Sequence, residues 1–142
     1  MRRIFCLLFF ALSVQFSSIV HAELTFDQLE AKAVVDRYFD ALKQGDTQTI
    51  QSLLDGDLLT EQKALLNNPM YPGHLISMYQ VATFEVITLE TFDDGSIAVD
   101  TNVIIGNEES MHTRYLLHRA QRENTTADQL YIFAEVDTEI SY

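Results

Sequence analysis

The chain is short of cysteine, proline and basic residues. Its one cysteine is Cys6, its two prolines are Pro69 and Pro72, and nine Lys and Arg face 21 Asp and Glu. Residues 1–22 read as an export signal. Arg2 and Arg3 form a basic beginning, Ile4 to Val14 an apolar core interrupted by Ser13, and Val20-His21-Ala22 places small residues before a cut at Glu23. The working chain is then a single domain, residues 23–142, without cysteine. Disulfides, thiol chemistry and Cys-ligated zinc are excluded, although the destination, periplasmic or secreted, is oxidising.

The apolar core of the signal falls well short of the ~18–20 residues that cross a bilayer, so no stable membrane insertion is expected after cleavage. Losing Arg2 and Arg3 leaves seven basic residues against 21 acidic ones, which moves the net charge from −12 to −14. Such a surface repels phosphate backbones and anionic lipid, and nucleic acid is excluded as a partner. The acidity serves solubility or a cationic partner.

Chemical signatures are also missing. The chain has no Gly-rich phosphate loop, no Gly-x-Ser-x-Gly elbow and no His-Glu-x-x-His. His112 and His118 stand six positions apart on one predicted strand, roughly 20 Å, too far to share an ion. No metal and no cofactor are expected.

What is present is a change of periodicity. Thr25 and Gln28 form a capping-box pattern opening a first helix, whose apolar face includes Leu29, Ala33, Val35, Tyr38, Phe39 and Leu42 and which Gly45 ends. Asp46 caps a second helix stopped by Gly56, and Thr60 caps a third. Pro69-Met70-Tyr71-Pro72-Gly73 reads as a loop. From about Ser77 the pattern is β: Tyr79 to Phe92, Ser96 to Ile105, Ser110 to Arg122 and Gln129 to Ile140, joined by Asp93-Asp94-Gly95 and two further turns into an antiparallel meander. The first strand changes parity between Val86 and Ile87, which indicates a bulge.

Alternation places Ile97, Val99, Thr101, Val103 and Ile105, then Met111, Thr113, Tyr115 and Leu117, then Leu130, Ile132, Ala134 and Val136, toward the helices. Asp100, His112, Arg114, Leu116, His118, Tyr131, Phe133, Glu135 and Asp137 face outward. A register slip of one residue would exchange the faces and bring His112, Asp100 and Tyr131 inside.

The order of elements, with Ala33-Val34-Val35-Asp36-Arg37-Tyr38-Phe39-Asp40-Ala41-Leu42-Lys43-Gln44-Gly45-Asp46 and the Asp-Gly hairpin before Ser96-Ile97-Ala98-Val99, resembles the nuclear transport factor 2-like superfamily of cone-shaped α+β domains. The resemblance implies N-terminal helices packed on a bent four-stranded meander. It also implies a conical pocket and, on the outer sheet face, a dimer surface.

The candidate pocket residues are Tyr38, Tyr79, Val99, Thr101, Met111, Thr113 and Tyr115, and the candidate interface is Leu116, Tyr131 and Phe133. An enzyme of this shape needs an acid or base beside a pocket tyrosine, and no inward Asp or His stands beside Tyr115. The expectation is therefore a non-catalytic exported domain that binds an apolar small molecule in the cone, or a protein partner on its outer sheet as in a homodimer. The alternatives are a small isomerase, dehydratase or cyclase of the ketosteroid isomerase type, and an assembly subunit of an envelope complex.

Overall fold

The computed structural model describes residues 23–106 and 109–138; the export signal read at 1–22 and the end of the fourth strand at Ile140 lie outside them. Four helices come first: α1 (Phe26–Gln44), α2 (Thr47–Leu53), α3 (Gly56–Leu66) and α4 (Tyr71–Tyr79). Four strands follow: β1 (Thr83–Thr91), β2 (Ile97–Ile105), β3 (Glu109–Ala120) and β4 (Gln129–Thr138). They pair antiparallel in the order β1-β2-β3-β4. No described helix is long and apolar enough to cross a membrane.

The helix starts follow from local hydrogen bonding. The Thr25 hydroxyl accepts from the Gln28 N–H at 3.2 Å while the Gln28 side-chain oxygen accepts from the Thr25 N–H at 3.1 Å, closing the capping box that opens α1. Gly45 ends it in the left-handed region, at φ 64°, and Asp46 caps α2 through the Thr49 N–H.

Three expectations are corrected. The segment around Pro72 is helical, because proline in the first turn of a helix lacks only an N–H that would have no intrahelical partner. Tyr79 accordingly ends α4, and the first strand starts at Thr83. The helix expected to start at Thr60 starts at Gly56.

A further correction concerns the cone. The sheet is open and uncurled, and β1 and β4 are opposite edges of one ladder, so the nuclear transport factor 2-like architecture does not describe this chain. The interior is filled rather than hollow. Ala31, Val35, Tyr38, Phe39 and Leu42 of α1 pack with Ile50, Leu53 and Leu54, and with Ile97, Val99, Tyr115, Leu117, Leu130 and Ile132 of the sheet, in one core. The outer edge of β4 is held too, since Leu54 bridges Ile132 and the Asp55 N–H donates to the Ile132 carbonyl at 2.9 Å.

Two bulges set which side chains face that core. In β1 the register shifts between Val86 and Thr88, leaving Ile87 as the extra residue, at the parity change visible in the sequence. In β4 Leu116 faces Ala134 while Leu117 faces Ile132, so Phe133 is extra. Parity therefore reverses at Phe133. Ala134 and Val136 turn to the outer face and Glu135 and Asp137 to the helices, opposite to the expectation from uninterrupted alternation.

Candidate functional site

Below the reversed end of β4, between α1, α4 and the sheet, lies a cleft of about 290 Å³. Its apolar surface comes from Leu42, Met78, Val103 and Met111, its aromatic walls from Tyr38, Tyr79, Phe84 and Tyr115, and its polar end from Thr113, Glu135 and Asp137. The aromatics are packed against one another. The Tyr38 and Tyr115 rings meet edge-on with centroids 5.6 Å apart, Phe39 stacks on Phe84 at 3.8 Å, and Tyr79 lies 6.1 Å from Phe84.

Five of the seven expected pocket residues, Tyr38, Tyr79, Met111, Thr113 and Tyr115, line this cleft. Tyr79 reaches it from a helix rather than a strand. Val99 and Thr101 do not line it; both are fully buried, and the Thr101 hydroxyl donates to the Thr113 carbonyl at 3.0 Å.

Sequence alternation missed the two carboxylates. Glu135 stands directly opposite Tyr115, and Asp137 opposite Thr113. The Thr113 hydroxyl donates to Asp137 Oδ1 at 3.2 Å, and the Tyr115 hydroxyl hydrogen-bonds the Glu135 carboxyl. Glu135 as a residue keeps solvent access, but its carboxyl is crowded by the cleft walls. That desolvation, with the charge of Asp137, pushes its pKa up, against the opposing pull of the Tyr115 hydrogen bond. Burial, and then the negative charge of Glu135, hold the Tyr38 and Tyr115 hydroxyls well above their ordinary range, so both stay protonated donors.

On the outer face the three expected interface residues are partly or wholly covered. Tyr131 is 2% exposed, beneath the Arg122 guanidinium 4.3 Å from its ring centre, and Phe133 stacks on His118. Phe133 and Leu116 are both half-buried, Leu116 beside a polar cluster in which Arg114 makes a two-pronged ion pair with Asp100, Nε to Oδ1 at 2.7 Å and Nη2 to Oδ2 at 2.9 Å.

His118 is tied to the α2–α3 junction, its Nε2 2.8 Å from Asp55 Oδ2. No group of His, Cys, Asp and Glu among the described residues is arranged to hold a metal ion. Two other surface hollows are larger, about 390 and 420 Å³. They are more open, and a cation is already at hand in each: Arg119 bridges Asp27 and Glu30 beside the first, and Lys43 lines the second.

Fold and cleft together define an open-sheet α+β domain with a lateral aromatic cleft ending in two carboxylates. Compared with family models, with curated proteins and with solved structures, the chain matches none.

Proposed function

We propose that this is an exported, non-catalytic binding domain that holds a small organic molecule in the cleft between α1, α4 and the sheet. The observation that carries the reading is the composition of the cleft, in which aromatic and aliphatic walls surround a few convergent polar groups. Export rests on the pattern of residues 1–22 and on a remainder free of cysteine.

The methionines provide a test. Met78 and Met111 line the cleft, whereas Met70 lies outside it and is 79% exposed. With methyl-13C methionine, small amphipathic ligands that bind are expected to shift the Met78 and Met111 resonances and leave Met70 in place. A library of cationic, neutral and anionic members that moves neither cleft resonance would overturn the reading.

One observation favours a second reading. The Tyr115–Glu135 pair puts a protonated hydroxyl beside a carboxyl of raised pKa, the pairing that proton transfer at a carbon acid uses. An isomerase or dehydratase of this kind exchanges the α-hydrogens of small cyclic ketones in D2O, and Glu135→Gln abolishes the exchange. A wild-type rate equal to that of buffer rejects it.

A further inference from the structure

Resting on the proposed binding role of the cleft, we infer that its ligand class is the organic cation: an ammonium group seated between Glu135, Asp137 and the tyrosine rings, with a hydrocarbon body on Leu42, Val103 and Met111. Four features of the cavity converge on this class.

The first is an uncompensated charge. No Lys, Arg or His is among the described residues lining the cleft, although two carboxylates are. Elsewhere several acids of the sheet and helices do have a cation beside them, as in Asp100 with Arg114 and Asp36 with Lys32. The second is the wall. Tyr38, Tyr79 and Tyr115 present aromatic rings, whose negative faces attract a desolvated cation, whereas the Phe84 ring is already stacked on Phe39 and lies under the Lys43 ammonium, 5.4 Å from its centre.

The third is spare hydrogen-bonding capacity. Each carboxylate accepts about four hydrogen bonds, and among the described residues one hydroxyl serves each, Thr113 for Asp137 and Tyr115 for Glu135. Acceptor sites remain for the N–H groups of an amine. The fourth is the apolar surface, which suits a carbon skeleton and supplies no ligand to a bare metal ion. An anion would meet two like charges, and a neutral molecule would leave them uncompensated. Burial and then the charge of Asp137 push the Glu135 pKa up, and the second of these is the repulsion a bound cation relieves.

Three probes that share a phenylethyl body separate head-group charge from body: phenethylammonium, 2-phenylethanol and 3-phenylpropionate, titrated against the full chain with Met78 and Met111 as reporters. Phenethylammonium is expected to shift both resonances, with 2-phenylethanol about tenfold weaker and 3-phenylpropionate without effect. Glu135→Gln combined with Asp137→Asn is expected to lower affinity for phenethylammonium about tenfold and leave that for 2-phenylethanol unchanged.

Circular dichroism and an unmoved Met70 resonance check that the variant is folded. If it is not, the ranking of the three probes on the wild type decides alone. Equal binding of all three overturns the cationic class while leaving the cleft as a binding site. Failure of all three to move Met78 or Met111 overturns the class as well, and the wider library then separately decides whether the cleft binds anything.

Discussion

The Pro72 carbonyl oxygen lies so close to Gly45 that a Cβ at position 45 would stand 2.6 Å from it, with Ile76 Cγ1 at 3.1 Å. The last residue of the α1 cap is thus the seat on which α4 rests, and α4 carries Met78 and Tyr79 to the cleft. Gly45 also sits at φ 64°, where a side chain costs ~1–2 kcal/mol. Gly45→Ala is expected to lose that strain plus the cost of displacing α4. Gly95→Ala isolates the strain, since φ there is 84° and nothing lies within 4 Å of the added atom. Urea unfolding of the two variants tests the contact, and equal losses would show that the approach of Pro72 to Gly45 contributes nothing.

The raised pKa of Glu135 makes a signed prediction. A carboxyl whose folded pKa lies above its unfolded value, ~4.3, contributes stability that is present below that value and is lost as pH rises through the folded pKa. The groups facing it are Tyr115 on β3, Tyr38 on α1, Tyr71 and Tyr79 on α4 and Asp137 on β4. The tyrosines remain neutral across that range, leaving Asp137 as the charged neighbour. Glu135→Gln is therefore expected to become more stable relative to wild type as pH rises from about 4 through the folded pKa, and to keep a constant difference above it. A stability difference that stays flat across this window contradicts the placement of the carboxyl.

Asp100 has the opposite sign. The Arg114 hydrogen bonds, reinforced by the Thr88 hydroxyl at 2.7 Å, outweigh desolvation and lower its pKa. Its contribution is present above the unfolded pKa of ~3.9 and is lost as pH falls through the folded value. Arg114 and Asp100 keep 35% and 25% of their side-chain surface accessible, so the pair is screened. Asp100→Asn is expected to cost about 1 kcal/mol at neutral pH and progressively less in acid, read from urea midpoints at several pH values.

What could be read from the residues depended on how local the determinant was. The Thr25–Gln28 box and the Gly45-Asp46 junction are closed by hydrogen bonds within a few residues, and both stand in the structure where the pattern placed them. The faces of β2 and β3 were legible because neither strand has an extra residue where the two pair. Parity in β4 held only to Ile132. Nothing in Ile132-Phe133-Ala134 announces that Phe133 will be unpaired, and that residue alone moved Glu135 and Asp137 from the outer face of the sheet to the cleft face. The bulge in β1 was visible because two apolar parities collide at Ile87. Whether the sheet closes or stays open depends on which strands end at its edges, to which a list of strands is blind.

Tyr115→Phe is the substitution that tests whether the cross-strand pair, rather than burial alone, sets the chemistry of the cleft. The ring stays in contact with Tyr38 and Phe39, both at 5.6 Å between centroids, so packing is preserved. Only the hydroxyl is lost. That hydroxyl stabilises the ionised form of Glu135, and without it desolvation and Asp137 act unopposed. The Glu135 carboxyl carbon, followed by 13C NMR, should therefore titrate at higher pH in the variant than in wild type. Affinity for phenethylammonium near the Glu135 pKa should fall in parallel, because more of the carboxyl is protonated there, and should recover at higher pH. An unchanged titration would mean that the two side chains, though opposite each other on the sheet, are not hydrogen-bonded in solution.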